Sequence, residues 1–167
     1  ENIRELMTYL PQNAEEQPPI IDLGDDPERL THDLVDIVPS DATKAYDVRS
    51  AISCIVDAGA FFEIKPEFAP EMVVGLARLD GRVVGIVANQ PGYLAGSLTV
   101  DSSDKQTRFM RFCDCFNIPI VLLVDTSAYM PGKDQEHLGI IRHGAKVLYA
   151  LCESSVPRIG LVMRKAY

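Results

Sequence analysis

The run Asp125-Thr126-Ser127-Ala128-Tyr129-Met130-Pro131-Gly132, with Gln135-Glu136 and Gly139-Ile140-Ile141-Arg142-His143-Gly144 behind it, is the stretch of this chain best suited to holding a ligand. Pro131 and Gly132 set a tight loop. The helix expected after it offers free backbone N–H groups in its first turn, which suit an anion or a polarised carbonyl oxygen. The same residues also suit a plain strand-to-helix connection, and at this level both readings stand. Side-chain catalysis has less to work with. No Ser/His/Asp set is apparent: His32 falls in a Pro-rich stretch, and His137 and His143 lie at or near a helix start. A lone histidine there is more often a polar surface or capping group than a base. Cys54, Cys113, Cys115 and Cys152 contain one close pair where a structural zinc site wants two. Cys113 and Cys115, two apart on a helix, point to different faces and are expected to bind no metal and form no bridge. Each cysteine falls in an apolar helical pattern and reads as a small core residue. That implies a reducing compartment, taken here to be the cytoplasm. Gly75, Gly81 and Gly85 lack the strand-loop-helix setting of a dinucleotide fingerprint.

The elements that position the loop can be read from periodicity. Ile118 to Asp125 (IPIVLLVD) is a continuously apolar run, the mark of a strand covered on both faces. It delivers the loop at a carboxyl end, where open α/β sheets gather ligands. A helix from about Gln135 to Ser154 presents Ile141, Ala145, Leu148 and Cys152 on one stripe, and Ile159 to Met163 reads as a second buried strand. Strand, helix, strand in this order predicts parallel pairing with a right-handed crossover. Upstream, Asp80-Gly81 between the β-rich runs Val73–Leu79 and Arg82–Ala88 is the two-residue signal of a type I′ hairpin. Asp101-Ser102-Ser103 supplies caps for a helix carrying Phe109, Phe112, Cys113 and Phe116. Asp47 caps another carrying Val48, Ile52 and Ile55, with Gly59 placed to end it. The expected class is an α/β layered structure with an antiparallel hairpin at its entry.

Residues 1–45 read differently. Ile3, Leu6, Met7 and Leu10 make one short helical stripe that Pro11 stops. Pro and acidic residues then dominate to Lys44, an extended linker with one short helix expected near Pro27 to Leu34. Residues 1–50 hold 12 Asp/Glu against 4 Lys/Arg, and the rest hold 12 of each. An acidic arm on a neutral body argues against a nucleic-acid binder, which needs a basic face. The arm itself reads as solvated surface. With 47% apolar and 24% charged residues, the 167-residue chain supports one good core, here residues 46–167. No apolar run approaches the roughly 20 residues of a membrane helix. The start Glu1-Asn2-Ile3-Arg4 lacks an initiator Met and the pattern of a signal peptide, so a piece of a longer chain is expected.

Seven stretches run in one order along the chain: YDVR (Tyr46 to Arg49), FFEI (Phe61 to Ile64), VVGLARLDGR (Val73 to Arg82), GIVANQP (Gly85 to Pro91), RFCD-x-FNIP (Arg111 to Pro119), GIIRHGAK (Gly139 to Lys146) and RKAY (Arg164 to Tyr167). Together they resemble the biotin-dependent acyl-CoA carboxyltransferases, the carboxyltransferase subunits of propionyl-CoA and acetyl-CoA carboxylase, methylmalonyl-CoA transcarboxylase and related sodium-pumping decarboxylases. YLPQN (Tyr9 to Asn13) is similar to the segment joining the two halves of such subunits. The likeness implies a crotonase-like fold, truncated to part of the C-terminal carboxyltransferase domain. It implies biotin on a separate protein or domain, an acyl-CoA substrate and no metal. Implied partners are a biotin carboxyl carrier protein or biotin carboxylase subunit and further copies in a hexamer. The family's chemistry needs no side-chain base: the biotin ureido nitrogen takes the α-proton, and backbone N–H pairs hold both developing oxyanions. Those pairs lie in the N-terminal half and in a glycine-rich turn after RKAY, so no catalytic residue is assigned in this chain. By the same likeness, Ala128, Tyr129, Met130, Pro131, Gly132, Gly139 and Ile140 are assigned to the biotin-facing pocket wall. The family usually places Gly-Phe before the Leu or Met of this loop; Ala128 would deny it positive φ. The helix from Gln135 or the hairpin is expected to meet a second subunit. A biotin-dependent decarboxylase and a non-catalytic crotonase-like assembly module are the rival readings.

Overall fold

Asp80 and Gly81 reverse the chain with φ of 50° and 70°, the mirror-image turn whose twist matches paired strands. The strands on either side pair antiparallel from Met72↔Asn89 to Leu79↔Arg82. Asp57 holds this turn from outside, its two carboxylate oxygens accepting from Asp80 N (3.1 Å) and Gly81 N (2.8 Å).

The computed structural model describes residues 1–167. Its elements are α1 (Asn2–Met7), α2 (Leu34–Ile37), α3 (Val48–Ile55), β1 (Phe61–Glu63), β2 (Met72–Leu79), β3 (Arg82–Asn89), α4 (Val100–Cys115), β4 (Ile120–Thr126), α5 (Lys133–His137), α6 (Ile140–Glu153) and β5 (Arg158–Ala166). The sheet order is β1-β2-β3-β4-β5. Its first three strands are antiparallel, and β3, β4 and β5 run parallel. Strand β1 completes the antiparallel edge and has no counterpart in the periodicity argument, because three residues are too short to show alternation.

Alternation along the strands divides the core in two. Met72, Val74, Leu76, Val83, Val87 and Ile120 face α4 and α6, where they meet Phe109, Met110, Cys113, Val147 and Ala150. Val73, Ala77, Val84, Ile86, Ala88 and Leu123 face α3 and its Val48, Ala51 and Ile52. Strand β4 is thus flanked on both faces, although Val121, Leu122 and Val124 are only half-buried. Asp47 caps α3 through its side chain, accepting from Arg49 N at 2.9 Å.

Six sequence expectations need correction. The cap of α4 is Thr99, which forms a capping box with Ser102, so the helix starts ahead of Asp101-Ser102-Ser103. The expected helix at Pro27–Leu34 does not form, and a single turn occurs at α2. Arg29 is instead committed to the carbonyls of Cys54 (2.6 Å), Ile55 and Val56, and so satisfies the open end of α3. The helix from Gln135 to Ser154 is broken between α5 and α6, where Gly139 adopts left-handed φ of 83°. The stripe Ile141, Leu148 and Cys152 faces outward, and Ile140, Gly144, Val147 and Ala150 are the buried face. Strand β5 is an exposed edge, with Ile159, Leu161 and Val162 uncovered. Of the cysteines, Cys113 is buried and Cys54 half-buried, but Cys115 and Cys152 are exposed; all four are free.

The acidic arm is also less detached than its composition suggests. Arg78, itself buried, donates to Thr8 O, Pro19 O and Gly81 O, and Arg164 donates to Pro39 O, Asp41 O and Lys44 O. Arginine forks on backbone carbonyls, more than charge pairing, lay residues 8–44 along the body.

Candidate active site

The carboxyl end of β4 carries a buried charge pair. Asp125 is 1% exposed. Its Oδ2 accepts from Arg164 Nε at 2.7 Å and from the Tyr46 hydroxyl at 3.0 Å, and its Oδ1 accepts from Lys165 N at 3.3 Å. The Arg164 guanidinium also stacks over the Tyr46 ring, 4.7 Å from its centroid. Burial pushes the Tyr46 hydroxyl well above its ordinary value, and the Asp125 charge adds to that, so it stays a donor. Next to this pair, Asn89 Oδ1 accepts from Asp125 N (3.2 Å) and its Nδ2 donates to Gly96 O (3.0 Å). Gln90 donates to Asp47 Oδ1 at 2.6 Å and accepts from Val48 N at 3.2 Å. The stretches YDVR, GIVANQP and RKAY therefore interlock physically around the end of β4.

That platform fixes the base of the loop, and Leu98 fixes its middle. Leu98 N donates to Ala128 O (2.9 Å) and Leu98 O accepts from Met130 N (2.8 Å), so Tyr129 is held between two strand-like bonds. Ser127 Oγ lies 3.0 Å from Ser97 Oγ and donates to Ala95 O at 3.1 Å. The Tyr129 ring lies on Gly144 of α6, where an added Cβ would stand 2.9 Å from its Cε1. Burial raises the Tyr129 hydroxyl above its ordinary value. Gln135 Oε1 accepts from Val100 N at 3.0 Å, tying α5 to the first turn of α4.

The sequence-assigned residues divide under this geometry. Ala128, Tyr129 and Met130 form the pinned segment, while Pro131 and Gly132 are exposed beyond it. Gly132 has φ of 132° and ψ of 152°, open to glycine almost alone, and nothing lies within 4 Å of its Cβ position. Gly139 begins α6, but Ile140 is buried and packs inward, so its side chain belongs to the core. Ala128 is not among the residues with positive φ, so its Cβ denies the loop nothing there. Tyr46, Arg164 and Leu98 are the contributors that lie outside the stretch singled out by residue type, which already held Asp125 and Gly144. A carboxylate ending an apolar strand was the one available signal.

His143 is more than a helix-start polar group. Its Nδ1 lies 2.9 Å from Asp104 Oδ1 and 3.0 Å from Lys146 Nζ, and Lys146 donates to the same Asp104 oxygen at 2.9 Å. The cluster clamps α6 onto α4. Burial works to raise the Asp104 carboxyl, but the hydrogen bonds from Lys146 and His143 outweigh it and hold it below the ordinary 3.8. A carboxyl lowered in the folded state stabilises above its unfolded value, and that contribution disappears as pH falls through the folded value. Asp104→Asn should therefore reduce stability near neutrality and lessen its dependence on pH below 3.8. Thermal melts of both proteins across the acid range would show it; parallel curves would exclude the clamp.

A loop pinned at the carboxyl end of a parallel strand, with Tyr129 as its one titratable side chain between Thr126 and Gly132, suits positioning more than proton transfer. Layered sheet, capped strand end and loop together define a crotonase-like carboxyltransferase module. The chain belongs to the carboxyl transferase domain family, whose model matches residues 1–167. It is 52% identical over 167 residues to the carboxyltransferase subunit of propionyl-CoA carboxylase from Haloferax mediterranei, covering 100% of this chain and 32% of that one. It is 48% identical over 165 residues to the methylmalonyl-CoA decarboxylase alpha subunit of Veillonella parvula, covering 99% and 32%. A crystal structure of the transcarboxylase 12S hexamer assembly, with methylmalonyl-coenzyme A and methylmalonic acid bound, superposes with a TM-score of 0.93 at 48% identity, covering 96% of this chain and 31% of that one. The chain thus spans about a third of the length of these relatives. No helix is long and apolar enough to cross a membrane.

Proposed function

We propose that this chain is part of a carboxyltransferase that moves a carboxyl group between a biotin carried on another protein and a short acyl-CoA such as propionyl-CoA or acetyl-CoA. The observation that carries the reading is the likeness to transcarboxylase 12S, at a TM-score of 0.93 over 96% of the chain. Within it, residues 1–45 serve as the joint and acidic linker and residues 46–167 as part of the C-terminal carboxyltransferase domain. The loop fits a flat ring: the Gly132 backbone is exposed with nothing within 4 Å of its Cβ position, so a ring face can reach the peptide edge. A biotin held there supplies the transferable carboxyl group. Ala128 to Gly132 and Gly139 would form the wall against it, with Tyr129 kept in place by Leu98 and Gly144. The free thiols suit a reducing compartment, for which we propose the cytoplasm.

The reading includes assembly into a homo-oligomer and docking of a biotin carrier. The apolar outer face of α6 supports it: Ile141 is 80% exposed, Leu148 64% and Tyr149 66%, on one side of one helix. Sedimentation of the complete subunit as a monomer at micromolar concentration would remove this part. The decarboxylase direction is the second reading, favoured by the near-equal likeness to the Veillonella subunit.

The test is single-turnover transfer of a labelled carboxyl group from carboxylated carrier to propionyl-CoA by the complete, assembled subunit. Gly132→Val, which forces a side chain into a conformation costing about 1–3 kcal/mol, should slow transfer by about 10²-fold through displacement of the loop. Carboxylation of the carrier by its own enzyme should not change. His143→Ala should have a much smaller effect, since no proton passes to a side chain. Loss of turnover in a normally assembled His143→Ala protein, with Gly132→Val harmless, would defeat the backbone mechanism.

A further inference from the structure

A partly open cavity of about 820 Å³ lies between α1, α4 and the segment 62–68. Leu6, Ile64 and the rings of Phe62, Phe109 and Phe112 give it apolar walls, and Phe68 stands at its mouth, 42% exposed. It sits at the β1 edge of the sheet, three strand spacings, about 14 Å, from the strand that delivers the Ala128–Gly132 loop. Five charged side chains also line it, and the two carboxylates among them are already matched. Glu63 takes the Arg49 guanidinium at 2.7 Å, and Asp104 takes Lys146 and His143, each at 2.9 Å. Lys65, Lys105 and Arg108 join none of the chain's ion pairs. In a chain of net charge −8, cations left without carboxylates around one apolar cavity make a local excess that an anion would balance.

The rim of the cavity is held under strain. Lys65 and Ala69 adopt φ of 53° and 46°, a region that residues with a Cβ rarely enter. Lys105, 4% exposed, holds that conformation from below by donating to Phe68 O (2.6 Å) and Ala69 O (3.3 Å). Burial pushes its ammonium below the ordinary value, against the pull of Glu63 and Glu71. The Lys65 ammonium lies over the Phe68 ring, 5.9 Å from its centroid, and both Lys65 and Arg108 are exposed. These two are the cations a ligand can touch, with the Lys105 charge behind them.

Size and walls define the ligand. The volume falls within the roughly 300–1,000 Å³ of small-molecule pockets, and at about 30 Å³ for a water-sized group it admits fewer than about 30 heavy atoms. A whole nucleotide thioester exceeds that. The rings of Phe62, Phe68, Phe109 and Phe112 favour an aromatic body, through offset and edge contacts beyond simple area burial. Cations confined to the mouth suit one terminal carboxylate, which an arginine can grip with two N–H groups. We propose that this cavity binds a small aromatic monocarboxylate, with its ring among the four phenylalanines and its carboxylate at Lys65 and Arg108. The site stands whether or not the complete subunit transfers carboxyl groups.

Isothermal calorimetry on the complete, assembled subunit tests it with 4-phenylbutyrate, neutral 4-phenylbutan-1-ol and cationic 4-phenylbutylamine, which share one ring and chain. The carboxylate should bind with a dissociation constant of about 0.1–1 mM, as about 12 heavy atoms allow. The alcohol should bind about tenfold more weakly and the amine should give no heat. Added salt should weaken the carboxylate and leave the alcohol unchanged. Octanoate, a carboxylate without a ring, should bind about fivefold more weakly than 4-phenylbutyrate. Lys65→Gln and Arg108→Gln alter exposed side chains and should not disturb folding; each should weaken 4-phenylbutyrate about threefold, and the two together about tenfold. Arg82→Gln, an equal loss of charge at the exposed hairpin, should change nothing. No binding of 4-phenylbutyrate overturns the site, as does undiminished binding by the folded Lys65→Gln/Arg108→Gln protein. Equal binding of the alcohol overturns the anion, and equal binding of octanoate overturns the aromatic body. Displacement of 4-phenylbutyrate by free coenzyme A would put the ligand in the acyl-CoA site and overturn the cavity as its place.

Discussion

Asp125→Ala is expected to lower the unfolding free energy by about 3–5 kcal/mol, the cost of leaving one member of a buried ion pair alone. Arg164 is 7% exposed at its side chain, and Asp125 is its carboxylate partner. Its remaining bonds run to the carbonyls of Pro39, Asp41 and Lys44, which are neutral. The Tyr46 hydroxyl would lose its acceptor as well. Arg164→Met removes the same pair from the other side and should cost less, because Tyr46 and Lys165 N continue to bond the carboxylate. The double variant should fall well short of the sum, as for residues in one network. Urea unfolding of the four proteins measures this. Additive losses, or an Asp125→Ala loss near zero, would mean that the pair is solvated and that the end of β4 is not organised by it. Loss of the pair should also free residues 39–44, so proteolysis there should rise in both single variants.

The fold was legible where one residue type has one physical use. Asp80-Gly81 between two β-rich runs fixed a hairpin and its register, because few residue pairs accept positive φ twice in succession. Asp47 announced α3, and the uninterrupted run to Val124 announced a strand with two covered faces. Helix α6 shows where such reasoning ends. It carries apolar residues on two stripes, Ile140 with Val147 and Ile141 with Leu148, and periodicity cannot say which stripe turns to the sheet. Gly144 lies on the buried stripe with Ile140, Val147 and Ala150, and Tyr129 packs on it. An apolar strand likewise records that cover suits it, not what supplies the cover; hence the β5 sequence predicts a buried strand and the strand is exposed. The site was legible in part for a similar reason. Pro131 and Gly132 mark a loop by their own conformational limits, whereas Asp125, Tyr46 and Arg164 are separated by up to 118 positions and meet only in the fold. No local pattern joins them.

Gly144→Ala should separate stability from function. In a helix interior, Gly to Ala ordinarily stabilises by about 0.8–1 kcal/mol. Here the new Cβ would lie 2.9 Å from Tyr129 Cε1, 3.0 Å from its hydroxyl and 3.1 Å from Cζ, closer than carbon atoms settle. The obstructing atoms belong to the far end of a side chain that is 43% exposed, so the ring can swing outward at little cost. The helix gain should survive, and the melting temperature should stay level or rise. Displacement of the ring pulls on the backbone between Ala128 and Met130, whose two bonds to Leu98 hold the loop. A shift of about 1 Å there is enough to cost about 10²-fold in a positioning site. Carboxyl transfer by the complete subunit should therefore drop by about that factor while assembly is unchanged. Tyr129→Ala in the Gly144→Ala background removes the clash and should recover part of the rate, more than Tyr129→Ala alone would allow. Retention of full transfer in Gly144→Ala, with the ring shown to have moved, would place the reacting groups away from this loop. A fall in melting temperature of several degrees would instead mean that Tyr129 is locked, and that the wall of the site is part of the core.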